Sequence, residues 1–213
     1  AAEPNVTIEI VDPGRPLPAD ADLILLPGTK STMGDLVFLR AQGWDIDILG
    51  HARRGGHVLG ICGGYQMLGT WIEDPEGIEG PAGDTPGLGL LDVETLMTSD
   101  KHLTETCAVH AASNTSFRGY EIHIGRTEGP DRSRPFAHID TRPEGASSSN
   151  GRINGSYLHG MFRDDGFRAA WLATLGAKAS GQGYDATVEA TLDELANHME
   201  RIHVLEDGLL RLV

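Results

Sequence analysis

The chain is short of positive charge, cysteine and long apolar runs, and each shortage excludes something. Lysine and arginine number 17 against 31 aspartates and glutamates, a formal charge of −14, and the longest basic run is Arg53-Arg54. Such an acidic chain has little attraction for nucleic acid or an anionic membrane surface, so neither is expected as a partner. No stretch reaches the ~18 apolar residues of a membrane span, and the N-terminal residues have neither the basic region nor the apolar core of a secretory signal. The expectation is a soluble, cytoplasmic protein. No G-x-x-x-x-G-K-[ST] loop occurs, so a P-loop ATP site is not expected in this chain, and neither is a metal. Two cysteines, Cys62 and Cys107, leave room for at most one disulfide.

Glycine is plentiful. It accounts for 28 of 213 residues, close to twice the average usage of about 7%, and lies in short punctuating groups that predict many turns. One group flanks a cysteine: Val58-Leu59-Gly60-Ile61-Cys62-Gly63-Gly64-Tyr65-Gln66-Met67-Leu68 reads as a buried strand, a tight turn and a helix. This is the cysteine counterpart of the G-x-S-x-G elbow, in which a strained nucleophile sits where strand and helix approach closely. A structural cysteine has no need of glycine on both sides. At a helix N-terminus the thiol is expected to be more acidic than the ~8.5 of a free cysteine, and the Gly63 amide can face an oxyanion. Cys62 is therefore read as a free nucleophilic thiol.

Around the elbow the pattern is that of one α/β domain. Val6, Ile8 and Ile10 alternate with polar residues and predict a half-solvated strand; Leu23-Ile24-Leu25-Leu26 predicts a strand buried on both faces. Helices are expected from a cap at Ser31 or Thr32 to Leu39, and over Trp44–Ala52. Residues 71–91 read as a long loop, and Leu90–Met97, Cys107–Val109 and Gly119–Gly125 as strands of an antiparallel extension. Asn150-Gly151 marks a hairpin into Ile153–Leu158. Phe167–Leu175 reads as a helix, followed by a last one capped by Asp185 with Val188, Leu192, Leu195, Met199 and Ile202 on one face. An elbow cysteine needs a base. Among nine histidines His159 is best placed, ending a strand just before Gly160, whereas His57 enters the elbow strand at the wrong end.

With Cys62, Gln66 and a late strand-end histidine, the chain resembles the cysteine-dependent class I (triad-type) glutamine amidotransferases, whose signature is Gly-x-Cys-x-Gly-x-Gln. Three further blocks, Leu26–Thr32, Gly119–Thr127 and Gly155–Phe162, resemble the glutaminase domain of the cobyric acid synthase branch, and the likeness extends over nearly the whole chain. The resemblance implies a flavodoxin-like three-layer fold with a mostly parallel central sheet, and residues 1–213 as a single glutaminase domain, a fragment lacking the family's first strand and N-terminal synthetase domain. It implies hydrolysis of glutamine and delivery of ammonia to that ATP-dependent domain, which would hold ATP and Mg and amidate corrin carboxylates; no cofactor is expected in the glutaminase part. It implies Cys62 as nucleophile, His159 as base and acid, Gly28 and Gly63 as oxyanion-hole backbone, and Gln66 on the substrate side, with Glu121 and His123 expected beside the substrate in undefined roles.

One departure stands out. Most relatives carry His-x-Glu, whereas this chain reads His159-Gly160-Met161, so the expected site is a dyad or borrows a group from elsewhere. The corrin branch shares the loss, which makes Met161 a subgroup marker. Two other readings compete: the amidotransferase subunit of an enzyme that amidates peptidoglycan precursors, which also lacks the third carboxylate, and a non-catalytic binding module of the same fold.

Overall fold

The computed structural model describes residues 3–99 and 102–210. The chain opens with β1 (Leu23–Leu26), α1 (Thr32–Ala41), α2 (Trp44–Arg53), β2 (His57–Ile61) and α3 (Gly63–Leu68). Its middle contains β3 (Trp71–Asp74), β4 (Gly83–Pro86), β5 (Glu94–Leu96), β6 (His102–His110), β7 (Ser116–His123) and β8 (Arg126–Glu128). Then follow β9 (Ala137–Ile139), β10 (Arg142–Glu144), β11 (Ala146–Ser147), β12 (Ile153–Ser156) and β13 (Leu158–His159), and the helices α4 (Asp165–Thr174) and α5 (Tyr184–Leu210).

The parallel part is a sheet of order β1-β2-β12-β11 in which β1, β2 and β12 run parallel. Val58 and Leu59 of β2 point to opposite faces. Val58 joins Leu36, Leu39 and Ile48 of α1 and α2, while Leu59 joins Phe117, Leu158, Phe167 and Trp171 on the other side. Both faces of β2 are covered, which is why its sequence is an apolar run without alternation. The Asn150-Gly151 turn, with Gly151 at φ 70°, folds β11 back antiparallel on β12.

Two further sheets follow, an antiparallel one of order β10-β9-β6-β7-β13 and a mixed one of order β4-β3-β5-β8 in which β3 and β5 run parallel. Only Tyr157 separates β12, in the parallel sheet, from β13, which pairs with β7. That single residue hands the chain from one sheet to the other. Because β1 and β2 pair Leu26 with Gly60, and β12 pairs Gly155 with the same Gly60, the carboxyl ends of three strands arrive together at the elbow.

Several expectations are corrected. Val6–Ile10 is irregular, with Ile10 86% exposed: alternation alone does not make a strand, and no described strand pairs with this stretch. Just before this segment, Glu3 forms a buried ion pair with Arg168 at 2.7 Å, and the Arg168 hydrogen bond keeps the Glu3 carboxyl at about 2. Residues 71–91 are not a plain loop, since β3 and β4 pair within them. Ser31 precedes α1 but its side chain makes no cap; the Glu79 carboxylate accepts from the Thr32 N–H at 2.6 Å. Asp185 lies inside the first turn of α5 and pairs with Arg163. Val188, Leu192, Leu195 and Met199 on that helix are exposed, and the Ile202 side chain lies outside the described residues.

The close approach of β12 to α3 is testable. A methyl on Gly155 would lie 1.9 Å from the ring of the buried Tyr65, whereas one on Gly83 would meet nothing within 4 Å. Gly155→Ala is expected to lower unfolding stability by about 1–3 kcal/mol or more, and Gly83→Ala to stay within about 0.5 kcal/mol of the parent, as read from urea denaturation. Equal effects would contradict this packing.

Candidate active site

Cys62 stands between β2 and α3 at φ 55° and ψ −115°, one of three non-glycine residues at positive φ among those described. Its N–H donates to the Ser156 carbonyl at 2.9 Å and its own carbonyl accepts from Gln66 N–H at 3.1 Å, so both sides of the strained residue are tied. The flanking glycines have steric reasons. A methyl on Gly60 would lie 2.5 Å from the Gly64 carbonyl oxygen, and one on Gly64 2.1 Å from that of Leu26. Strand and helix can come this close only where no side chain intervenes.

Burial pushes the Cys62 thiol up, the Gly63 N–H pulls it down, and the Glu79 carboxylate adds a further push upward. The expectation of an acidic thiol is therefore not met. α3 has only six residues, and its weak end dipole does not overcome the loss of water around the sulfur.

His159 ends β13 beside the thiol. A methyl placed on Gly28, in the turn after β1, would lie 3.3 Å from Cys62 Cβ, 3.9 Å from Sγ and 3.3 Å from His159 Cε1. One bare glycine thus separates the two side chains. His159 Nε2 is buried without a hydrogen-bond partner, and burial pushes the imidazole below its usual value while a backbone hydrogen bond at Ile122 pulls it up. The Tyr120 ring stacks on the imidazole at 5.2 Å. Met161 is 1% exposed among Phe167 and Trp171 and faces an aromatic cluster.

Gln66 is buried and its amide is engaged within the fold. Oε1 accepts from Thr32 Oγ1 at 2.9 Å, and Nε2 donates to the Ile124 carbonyl at 3.0 Å and to Tyr157 Oη at 3.3 Å. It braces the elbow helix against α1 and the loop after β7. Glu121 and His123 belong to the other face of β7 from Tyr120, the residue paired with His159, because strand side chains alternate. Glu121 forms a two-point contact with Arg142, at 2.6 and 3.3 Å, and His123 stacks on Tyr157 at 3.9 Å. Both line a cavity of about 320 Å³ together with Tyr65, Glu144 and Tyr157, and neither Cys62 nor His159 borders it.

Three further residues shape the site. Tyr120 and Tyr157 lie inside blocks whose other members carry the resemblance, and Glu144 lies in a turn-rich stretch with no period to single it out. Glu144 is fully buried and accepts from the Tyr157 N–H at 2.6 Å and Ser156 Oγ at 2.8 Å, clamping the step from β12 to β13.

Residues 1–167 match the family of the CobB/CobQ-like glutamine amidotransferase domain. The chain belongs to that family. It is similar to the cobyric acid synthases of Jannaschia sp. (strain CCS1), 64% identical over 95% of this chain and 42% of the relative, and of Rhodobacter capsulatus, 64% identical over 100% of this chain and 44% of the relative. This amidotransferase domain thus spans less than half the length of the curated relatives it matches. A solved glutamine amidotransferase superposes with a TM-score of 0.53 over 73% of this chain and 80% of its own, at 17% identity, and supports the fold. No helix among the described residues is long and apolar enough to cross a membrane.

Within the amidotransferase domain the Glu144 clamp carries a pH signature. Burial raises its carboxyl from 4.5 to about 7, so the folded state favours the protonated form. Stability from this group is fully present below pH 4.5 and is lost as pH rises through about 7, a change on the order of 3 kcal/mol at most. Glu144→Gln keeps an acceptor for the Tyr157 N–H and cannot ionise. Urea denaturation across that range is expected to show the parent losing stability relative to the variant as pH rises; a constant difference would contradict the assignment.

Proposed function

We propose that this domain hydrolyses glutamine, and the observation that carries the proposal is the meeting of the Cys62 thiol and the His159 imidazole across Gly28. Sγ attacks the carboxamide carbon as its proton passes to His159 Nε2, and the carbonyl oxygen takes the negative charge. The Gly63 N–H, already directed at the sulfur, and the backbone at Gly28 are the groups that would receive that oxygen. Collapse breaks the C–N bond, the imidazolium proton leaves with ammonia, and a glutamyl thioester stays on Cys62. A water molecule, deprotonated by His159, then attacks the thioester and releases glutamate. Gln66 contributes by bracing the elbow, and Glu121 and His123 by shaping the wall behind Tyr157.

The relatives are named cobyric acid synthase and are more than twice as long as this domain. That supports a further reading: the ammonia serves an ATP-dependent synthetase portion that binds ATP and Mg and amidates the side-chain carboxylates of a corrin. Those groups belong to the synthetase portion, and no step above passes through them.

The chemistry at sulfur has a direct test. A glutamine-like diazo-ketone is expected to modify Cys62 and not Cys107, although Cys107 is the more exposed. The thiol is raised and the imidazole lowered, so a neutral pair rests at the site and the rate of modification should climb through neutral pH into alkaline solution. Mass spectrometry that finds the label on Cys107, or a rate already on a plateau in mild acid, would overturn this account.

Coupling to the longer protein has its own test. Gly28 follows β1, which among the described residues is an edge strand with Leu25 45% exposed, leaving that side of the strand open to a partner portion. Losing one oxyanion donor costs about 10²–10³ in rate. Glutamate release by the isolated domain is expected to be slower, by roughly that factor, than release by the full-length protein supplied with ATP, Mg and the corrin acid. Equal rates would show that the loop needs no bracing.

A further inference from the structure

The imidazole of His159 must take a proton from sulfur and return one to nitrogen, so its plane and tautomer have to be set by something. Met161 offers no oxygen. The antiparallel register of β13 on β7 sets His159 opposite Tyr120, and such cross-strand partners project from the same face. Their rings lie 8° from parallel with centroids 5.2 Å apart. Small residues allow this approach: a methyl on Gly119 would lie 2.4 Å from the His159 carbonyl oxygen, and one on Gly160 3.3 Å from Tyr120 Cε1. On another side of the imidazole is Gly28, which has no side chain to push it away.

The edge of the ring is held as well. The Ile122 N–H is spent on the Tyr157 carbonyl, so what Ile122 offers His159 is its own carbonyl oxygen. Nε2 has no partner, which assigns that hydrogen bond to Nδ1.

We propose that Tyr120 is a positioning residue that stands in for the missing carboxylate: its ring fixes the plane of the His159 imidazole and its π face stabilises the imidazolium formed when Cys62 attacks. The Ile122 carbonyl completes the arrangement by holding the Nδ1–H tautomer, which leaves the Nε2 lone pair to receive the thiol proton. An aromatic face within about 6 Å of a cation attracts it, and more strongly where water is excluded. The titratable side chains facing the imidazole are Cys62 from the elbow and Tyr120 from β7, with Glu79 acting on the thiol; no carboxylate among the described residues is hydrogen-bonded to the ring. The inference rests on His159 being the base in glutamine hydrolysis.

The test compares Tyr120→Phe, Tyr120→Leu and His159→Asn in the full-length protein, with kcat, KM and the pH profile of kcat/KM for glutamine. Phe keeps the face and should stay within about twofold of the parent. Leu keeps apolar bulk but removes the face; kcat should fall roughly tenfold with KM little changed. Its acid limb should move to lower pH, because the face favours the protonated ring. A Leu variant with parental kcat and an unmoved limb, or a Phe variant as impaired as Leu, would overturn the role of Tyr120 while leaving the glutaminase reading intact. Undiminished turnover by His159→Asn would overturn that reading itself.

Discussion

Cys62 holds φ 55° and ψ −115°, a conformation that costs an L-residue on the order of 1–3 kcal/mol, and it persists because independent contacts pin its own N–H and carbonyl. Ser156 on β12 takes its N–H, α3 takes its carbonyl, and Gly60 and Gly64 let β2, α3 and β1 close around the turn to distances that no methyl group would tolerate. The thiol is thereby held at the carboxyl ends of three parallel strands, and its position is no freer than the sheet itself. Any residue that is to meet it must be delivered to the same edge.

That delivery runs through Tyr157. Its carbonyl accepts from Ile122, its N–H donates to the buried Glu144, its hydroxyl meets Thr127 at 2.5 Å and Gln66 at 3.3 Å, and its ring packs between Tyr65 and His123. Every backbone and side-chain group of this residue is used. Because β12 before it is locked to β2 and β13 after it to β7, the placement of His159 reports the mutual fit of the parallel and antiparallel sheets. The buried carboxyl of Glu144 is the expensive part of the junction. It sits in the strand break where a peptide N–H and a hydroxyl would otherwise lack acceptors, and leaving such groups unpaired costs about 1–3 kcal/mol each.

How much of this was legible follows from how local each cause is. The elbow was readable because glycine spacing is a local steric demand, and the β2 run because burial on both faces erases alternation. Val6–Ile10 is not a strand for the complementary reason: its period is right, but a strand exists only with a neighbour, and pairing is not written into the segment. Their place in a block sets Glu121 and His123 beside the substrate, while the register with β13 puts Tyr120 opposite His159 and those two on the other face of β7. Tyr120 and Glu144 matter through partners 39 and 12 residues along the chain, Tyr120 by its stack on His159 and Glu144 by its bond from Ser156. Nothing in their immediate sequence marks that.

The electrostatics of the pair explain why the departure at Met161 is compatible with chemistry. A carboxylate on the imidazole would favour its charged form and, through it, a standing thiolate. Here burial raises the thiol and lowers the imidazole, so the resting state is neutral on both sides. Proton transfer between such groups is uphill until the sulfur's electrons are committed to a carbonyl carbon; from that moment the new charges are an oxyanion and an imidazolium. In the proposed reaction the oxyanion would meet backbone N–H groups and the imidazolium an aromatic face and a carbonyl oxygen, none of them bearing a full charge. On that reading the site directs its stabilisation at charge that appears only during attack. A dry pocket lined by dipoles does this more selectively than one holding a permanent ion, because dipoles stabilise little when no charge is present.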